Sequence, residues 1–441
     1  MSKELTQADL EAIERFKAFL RIRSITSEIP MGADKQVIEF VETQAKELGL
    51  EFNVYTYTEG YPVLVCTLKG QNPDQQSVLL NCHYDVVPVY PEKWDHDPFA
   101  AVELENGDIV ARGTQDMKCV CIQYFEAIRR LLANGFKPER TIHIALQPDE
   151  ECGGKLGMAK WIKSEEFKKL NVGFALDEGI ANETNKMTLF YGERTVWWLK
   201  LIARGPTGHA SRFIKDTAVE KLFNAVKKFL DYRRYQEALL EDSSLPRDHT
   251  FPAPAMEQAE AKGEHHDSHV GCKHAVAAQL GDVVTLNLTL LQAGLSNGNS
   301  YALNVIPIEA VAGFDIRIPP HVSLQEFEKQ IREAIGDIEI EFVVKSEVNR
   351  VTSLDPEVNV HWCRFKRACD AAGVELESQI FPAATDGRYL RNEADLPVLG
   401  FSPIRKQPIL LHEHNERLNK HTFIEGISVF EHVITEISKL E

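Results

Sequence analysis

Residues 77–85 read SVLLNCHYD, an apolar run that ends in a histidine and an aspartate. A short apolar run of this kind is typical of a strand that is buried on both faces. Comparable strands are predicted at 141–146 and 172–176, and amphipathic helices at 10–20, 36–48 and 117–132. The alternation of strands and helices predicts an α/β fold, a mostly parallel mixed sheet with helices on both faces.

The pattern changes near Arg194. From there the sequence predicts a half-exposed strand at 195–203 and a long helix at 217–240. Two strands follow at 283–291 and 305–318, then a helix at 324–335 and a strand at 338–344. This is the β-α-β-β-α-β order of a ferredoxin-like α+β domain. A chain of 441 residues is long enough for two domains. We therefore expect a domain at 194–350 that is inserted into a first domain formed by 1–193 and 351–441.

The α/β pattern resumes in the C-terminal part of the chain. Here the sequence predicts a helix at 360–372, strands at 397–401 and 408–411, and a final helix at 424–440. Residues 244–281 fit neither domain, because they are rich in Pro, Ala, Glu, Gly and His. We interpret this segment as a flexible insertion. Metal binding is the alternative interpretation, since the segment contains His265, His266, His269, Cys272 and His274.

The composition of the chain argues against nucleic-acid and membrane partners. The chain has 66 acidic against 49 basic residues and a net charge of −17, which argues against binding to a nucleic-acid backbone. Its longest apolar runs have the length of a strand, and its N-terminus lacks the apolar segment of a signal peptide. None of the eight cysteines forms a CxxC pair. We expect a cytoplasmic protein with reduced cysteines and no membrane or nucleic-acid partner.

Histidines and carboxylates follow the predicted strands at the points where those strands end. His83 and Asp85 follow the first strand, Glu150 and Glu151 follow TIHIAL, Glu178 follows VGFAL, His412 and His414 follow PILL, and Asp116 begins a helix. Ligands of open α/β sheets bind beyond the carboxyl ends of the strands, so we expect these side chains to meet at one edge.

Each of these residues taken alone has an ordinary structural interpretation as a helix cap, a turn or a surface residue. Their convergence favours a metal site, because so many buried carboxylates are costly unless cations neutralise them. Histidine nitrogens and carboxylate oxygens are the ligands of catalytic zinc, whereas a structural zinc site is typically rich in cysteine. Three or four carboxylates and two neutral histidines suit two zinc ions.

Five motifs carry a family resemblance: HYDVVP at 83–88, ARGTQDMK at 111–118, PDEECGG at 148–154, LDEG at 176–179 and HEHNE at 412–416. In combination they resemble the signatures of the cocatalytic di-zinc amidohydrolases of the aminoacylase and carboxypeptidase type. The strings GHASRF, NVIP and PAATDGRY favour the aminoacylase branch of that group. The resemblance extends over nearly the whole chain.

The resemblance implies a role for each residue of the motifs. His83 and Glu178 would bind one zinc ion, Glu151 and His412 the other, and Asp116 would bridge both. Glu150 would be the general base, and Asp85 would orient His83. The histidine of the family stands three residues before Asn-Glu, a spacing that His412 meets and His414 does not.

The resemblance also implies residues that bind the substrate. His209 would reach across a homodimer to the oxyanion, although by itself it could be a solvent-exposed histidine, and Asn304 would add a second contact. Arg388 is the preferred partner for a substrate carboxylate, Arg317 is a weaker candidate, and Thr385 would shape the pocket. The inserted domain would serve as a lid and as the dimer interface.

The expected activity is zinc-dependent hydrolysis of N-acyl, mainly N-acetyl, L-amino acids to a carboxylate and a free amino acid. A dipeptidase or carboxypeptidase of the same superfamily is the alternative, with the same metals and a different pocket. A noncatalytic binding module is disfavoured, because His83, Asp116, Glu150, Glu151, Glu178 and His412 are all present.

Overall fold

The computed structural model describes residues 4–253, 278–296, 298 and 300–440. By its internal contacts the chain divides into two compact units. Unit 1 comprises residues 1–192, 351–379 and 385–441, and unit 2 comprises residues 193–350 and 380–384. The role of unit 2 as a lid and dimerisation domain stays a prediction. His265, His266, His269, Cys272 and His274 lie outside the described residues.

Helices and strands are numbered along the chain. The described helices are α1 (Gln7–Leu20), α2 (Ala33–Leu48), α3 (Lys118–Ala133), α4 (Met158–Trp161), α5 (Glu165–Lys169), α6 (Ala218–Glu241), α7 (Leu324–Ile335), α8 (Val360–Ala371), α9 (Gly387–Asn392) and α10 (Lys420–Ile437). The strands are β1 (Glu51–Thr56), β2 (Pro62–Leu68), β3 (Ser77–His83), β4 (Val102–Glu103), β5 (Asp108–Val110), β6 (Ile142–Gln147), β7 (Val172–Asp177), β8 (Met187–Glu193), β9 (Thr195–Arg204), β10 (Gly208–His209), β11 (Thr285–Ala293), β12 (Val305–Ile306), β13 (Glu309–Ile318), β14 (Glu339–Lys345), β15 (Leu376–Phe381), β16 (Val398–Phe401) and β17 (Arg417–Asn419). Within the described part of the chain, no helix has both the length and the apolar character of a membrane span.

The main sheet of unit 1 has the strand order β1-β2-β6-β3-β7-β16-β8-β15. Its centre is parallel, because β3 pairs in parallel with β6 and β7, and β16 pairs in parallel with β7. Antiparallel pairs lie toward the edges, where β2 joins β1 and β6, and β8 joins β16. The predicted mixed α/β fold with a largely parallel central sheet and flanking helices is confirmed.

Local sequence signals explain the helices that cover this sheet. Thr6 caps α1 in a reciprocal pair with Asp9, and α2 ends at Gly49, whose φ of 67° suits a glycine. All seven residues of β3 are buried, as are residues 118–128 of α3. Phe16 of α1 stacks on Phe423 of α10 with ring centroids 4.4 Å apart. Strand β3 therefore ends in the interior of unit 1, where its last residue, His83, has little access to solvent.

Unit 2 contains a four-stranded antiparallel sheet in the order β11-β13-β9-β14. Along the chain its elements follow the order β9, α6, β11, β13, α7 and β14, as in the ferredoxin-like motif. Residues alternate along β9: Trp197, Leu199 and Leu201 pack with α6 and α7, whereas Trp198 on the other face is 43% exposed. The helices therefore cover one face of this sheet.

The strand predicted at 408–411 is wrong. These residues form no strand, although they are extended and apolar in sequence. The backbone is hydrogen-bonded to a side chain instead: the Leu410 N–H donates to Gln115 Oε1, and Gln115 Nε2 donates to the Pro408 carbonyl. His412 is therefore carried by a loop. The strand predicted at 305–318 is divided into β12 and β13, with Pro307, which lacks an N–H, between them.

The Phe16–Phe423 stack gives a test of the helical layer of unit 1. Phe16 is fully buried, so Phe16→Ala should destabilise unit 1 by about 3–5 kcal/mol through lost burial and a residual cavity. Phe213 is fully exposed and is the matched control, for which we expect a change within about 0.5 kcal/mol. Urea unfolding followed by circular dichroism measures both. Equal midpoints for the two variants would contradict the packing described here.

Candidate metal centre and active site

His83 stands at the carboxyl end of β3, with its ring between three carboxylate side chains. Its Nε2 atom lies 3.0 Å from Asp116 Oδ1 and 3.5 Å from Glu178 Oε2. Its Nδ1 atom lies 3.0 Å from the Asp85 carbonyl oxygen and 3.3 Å from Asp85 Oδ1. The Asp85 carbonyl oxygen can only accept, so Nδ1–H of the ring donates to it, which leaves the Nε2 lone pair directed at Asp116 and Glu178.

Asp116 contacts two histidines, one with each carboxylate oxygen. Oδ1 faces His83, and Oδ2 lies 3.2 Å from His412 Nε2. The same nitrogen of His412 lies 3.0 Å from Glu151 Oε2. Two groups of possible metal ligands result. One contains His83, Asp116 and Glu178, and the other contains Asp116, Glu151 and His412. Within each group the ligand atoms lie within 4.8 Å of one another. The two groups share Asp116.

The structure brings together His83, Asp116, Glu151, Glu178 and His412, the five residues predicted as metal ligands. His414, the alternative to His412, is exposed, and its ring makes an edge contact with Tyr90. His412 adopts a φ of 61°, which turns the loop back toward Asp116 and Glu151. A left-handed conformation at a non-glycine residue is uncommon and occurs often at functional sites.

Asp85 joins the His83 end of the site to the segment that carries the two glutamates. Its carboxylate is fully buried and accepts hydrogen bonds from the Thr26 hydroxyl and from the backbone N–H groups of Glu150 and Glu151. Asp85 therefore contacts the His83 ring, mainly with its carbonyl oxygen, and its carboxylate also fixes the backbone of the residue predicted as general base. The sequence predicted the first of these contacts but not the second.

The electrostatics of the site show an excess of buried negative charge. Burial raises the pKa of Glu178 well above its ordinary value, and the Asp116 charge raises it further. Burial and Asp116 raise the pKa of Glu151 to about 7. Burial, followed by the charge of Glu178, also raises the pKa of Glu150. Burial therefore disfavours the charged form of all three carboxyl groups.

The residues fit a pair of divalent cations. Glu151 Oε1 is buried and has no hydrogen-bond partner among the described residues, which leaves a free ligand atom beside His412. Neutral imidazole and carboxylate oxygen form the ligand set of a catalytic zinc site, and Asp116 offers one oxygen to each group. Cations bound here would stabilise the charged carboxylates that burial otherwise disfavours.

Glu416 is a supporting residue whose role the sequence did not reveal. It is fully buried and accepts hydrogen bonds from the backbone N–H groups of Gly113, Gln115 and Asp116. Arg112 Nη1 donates to the same carboxylate at 2.8 Å, and Arg112 Nη2 donates to the His412 carbonyl. The Glu416 carboxylate thus ties the Asp116 turn to the loop of His412. Its position in the HEHNE motif was the available signal, but three of its partners are backbone groups, which side-chain patterns do not reveal.

A second set of supporting contacts is made around Gly153 and Gly154, which follow Glu150 and Glu151 closely in the chain. Arg388 Nη2 donates to the Gly153 carbonyl, Arg388 Nη1 donates to the Thr385 carbonyl, and the guanidinium lies over the Tyr389 ring. Gly154 has a φ of 64°, and a Cβ there would lie 2.2 Å from Asp386 Oδ1. Arg388 and Thr385 therefore help to shape the glutamate segment, and the binding of a substrate carboxylate by Arg388 stays a prediction.

The remaining predicted residues, His209, Asn304 and Arg317, belong to unit 2. Strands β10 and β12 place His209 beside Val305, and the Ala210 N–H donates to the Asn304 carbonyl, so His209 and Asn304 are neighbours. Arg317 forms a two-pronged ion pair with Asp315 on β13. Their proposed contacts with substrate stay predictions.

The substitution Glu416→Gln tests whether the Glu416 carboxylate holds the Asp116 turn and the His412 loop in place. Loss of the charge should weaken metal binding by about 10–100-fold, because outer partners hold ligands in place. The matched control is Glu413→Gln, an exposed glutamate in the same loop, which should bind metal like the unaltered protein. Competition against a chelator of known affinity measures both variants, and circular dichroism checks that they fold. Unchanged affinity in folded Glu416→Gln would contradict the role assigned to Glu416.

Comparison with known proteins identifies the family of the chain. Residues 79–436 match the model of peptidase family M20/M25/M40. The chain is 41% identical to aminoacylase-1 of Dictyostelium discoideum over 98% of both chains. It is 38% identical to aminoacylase-1 of Homo sapiens over 100% of this chain and 98% of the relative.

Solved structures share the fold at low sequence identity. An M20 family metallo-carboxypeptidase from Sulfolobus solfataricus superposes with a TM-score of 0.66 and 17% identity, over 98% of this chain and 100% of that one. A dinuclear metal-binding peptidase of the M20 family from Bacillus subtilis superposes with a TM-score of 0.65 and 12% identity, over 97% and 98% of the two chains. By its family match and its full-length relatives, the chain belongs to peptidase family M20/M25/M40 and, within it, to the aminoacylase-1 proteins.

Proposed function

We propose that this protein is a di-zinc amidohydrolase that cleaves N-acyl, mainly N-acetyl, L-amino acids into a carboxylate and a free amino acid. The observation that carries the proposal is the pair of possible ligand groups that share Asp116, with Glu150 directly before Glu151 in the chain and both backbone N–H groups bound to Asp85. The names of the full-length relatives support the substrate class, since those proteins are aminoacylases.

His83 and Glu178 would hold one zinc ion, Glu151 and His412 the second, and Asp116 both. Bound zinc supplies Lewis acidity, which makes water more acidic and polarises a carbonyl group. Asp85 fixes the His83 ring so that Nε2 stays free to bind, and Glu416 holds the Asp116 backbone in place. The ligands therefore need little rearrangement on binding.

Glu150 would act as the general base and then as the general acid. Its backbone N–H donates to Asp85, so its position is fixed next to the ligands. Burial and the nearby Glu178 raise its pKa, which suits a group that must both take and release a proton. Glu150 would take the proton of the attacking water as the oxygen bonds to the acyl carbon. It would pass that proton to the amide nitrogen as the carbon–nitrogen bond breaks.

Residues of unit 2 would complete the site. His209 and Asn304 are adjacent, and we propose that both donate to the oxyanion that forms on the acyl oxygen, His209 from the partner subunit of a homodimer. A guanidinium would pair with the α-carboxylate of the substrate. Arg388 is the preferred candidate and Arg317 the second, and each already contacts acceptors of its own unit.

We propose that two copies associate through unit 2 and that the protein is cytoplasmic. Strand β11 is an edge strand of the unit 2 sheet and leaves Leu291 58% exposed, so it offers an apolar edge for a second copy. The seven described cysteines are all free thiols, which supports a reducing compartment.

The first experiment measures amine release from N-acetyl-L-methionine and from a simple dipeptide, before and after removal of metal by a chelator. We expect cleavage of the acetylated substrate, its loss on chelation and its recovery on addition of zinc, because the clustered carboxylates require cations. Little dipeptide should be cleaved. Preference for the dipeptide would contradict the assigned substrate class, and no cleavage of either substrate by zinc-loaded protein would favour a noncatalytic role.

Glu150→Gln tests the assignment of the base, since it keeps the shape of the side chain and removes its proton transfer. The value of kcat should fall by about 10²–10⁴-fold, while KM and the metal content remain near those of the unaltered protein. Steady-state kinetics and metal analysis on the same sample measure all three quantities. A loss of metal equal to the loss of activity would instead make Glu150 a ligand and contradict its assignment as the base.

A further inference from the structure

Unit 2 contains a histidine pair, His249 and His321, outside the site described above. His249 follows α6 and His321 precedes α7, and their Nε2 atoms lie 3.1 Å apart. The ring centroids are 4.9 Å apart with an interplanar angle of 56°, so the rings meet at their nitrogens rather than stacking face to face. His321 is exposed and His249 is partly buried, which leaves the pair open to solvent on one side.

Gln236 determines which nitrogen of His249 carries the proton. The amide of Gln236 is oriented by two backbone groups, because its Nε2 donates to the Asp248 carbonyl and its Oε1 accepts from the Val284 N–H. His249 Nδ1 lies 2.8 Å from that same Oε1, an atom that can only accept. Nδ1 of His249 must therefore be the donor, and neutral His249 has a bare lone pair on Nε2 directed toward His321.

The separation of the two Nε2 atoms suits ligands of one metal ion. Nitrogens that each bind an ion at about 2.0–2.1 Å are about 2.9 Å apart at a right angle and about 3.4 Å apart at the tetrahedral angle. The observed 3.1 Å lies between these values. Imidazole nitrogen is a preferred ligand of zinc, nickel and copper ions, and the open side of the pair leaves room for water ligands.

The charges around the pair also permit a cation. Burial and the His321 ring lower the pKa of His249 to about 4, and burial lowers the pKa of His321, so both rings are neutral near pH 7. The charged groups that face them are Asp248, Asp282 and Arg247, two carboxylates against one guanidinium. A metal ion therefore does not have to displace protons from the rings at neutral pH.

We propose that His249 and His321 form a separate binding site for a transition-metal dication of the zinc, nickel or copper class, with Gln236 holding His249 in the tautomer that binds. This site goes beyond the proposed hydrolase function, because all its residues belong to unit 2 and none is a predicted ligand of the catalytic centre. An ion there would join the segment after α6 to the loop before α7.

The test is calorimetric titration with Ni²⁺ of protein that has been dialysed after zinc loading. The unaltered protein should bind one more Ni²⁺ per chain than His249→Gln or His321→Gln. Each substitution removes one of two protein ligands, so affinity at this site should fall by about tenfold or more. The matched control is His432→Gln, an exposed histidine whose ring contacts the Ser428 carbonyl, which should keep the additional ion.

The comparison among these four proteins separates the outcomes. Ions bound elsewhere on the chain, including unit 1, are present in all four and cancel, so failure of the hydrolase proposal would not affect the result. Equal Ni²⁺ binding in all four would overturn the site, as would loss in only one of the two pair variants or loss in the control as well. Unchanged amidohydrolase activity and circular dichroism spectra would show that the pair variants fold.

Discussion

The burial of several carboxylates at one edge of a sheet is the constraint on which the rest of unit 1 depends. Asp85, Asp116 and Glu178 have almost no exposed surface, and in Glu151 the side chain is nearly as inaccessible. Such a group is stable only if each charge is met by a hydrogen-bond donor, a histidine or a cation. The parallel centre of the sheet brings the charges together, and the loops around it supply the partners.

For Asp85 and Glu416, most of the hydrogen-bond donors are backbone N–H groups. Asp85 accepts from the glutamate segment and Glu416 accepts from the Asp116 turn, so two buried carboxylates outside the two candidate ligand groups fix the backbone beside the carboxylates of those groups. This arrangement explains why the loops around the site need no regular secondary structure. Residues 408–411 are held by the amide of Gln115 in place of a strand partner, and His412 reaches Asp116 from that loop.

Sequence alone predicted those strands and helices that can be recognised from a short stretch of consecutive residues. Strands β3, β6 and β7 were predictable because each is a short, mostly apolar run, and the polar residues that follow them, from His83 to Glu178, were then expected at one edge. Strand β1 was missed because its residues are half-exposed and lack a clean alternation. The contact of Thr26 with Asp85 and the contact of Arg112 with Glu416 join residues 59 and 304 positions apart, a separation at which local patterns carry no information.

The position of β16 affects how the chain is made in the cell. Residues 398–401 pair with β7 on one side and β8 on the other, whereas β8 ends at residue 193. During translation, roughly 200 further residues must leave the ribosome before this gap in the sheet can close, which takes on the order of ten to forty seconds. Over that interval β7 and β8 expose unpaired edges on a nascent chain. Until β16 has been made, those edges are open to pairing with the wrong strand.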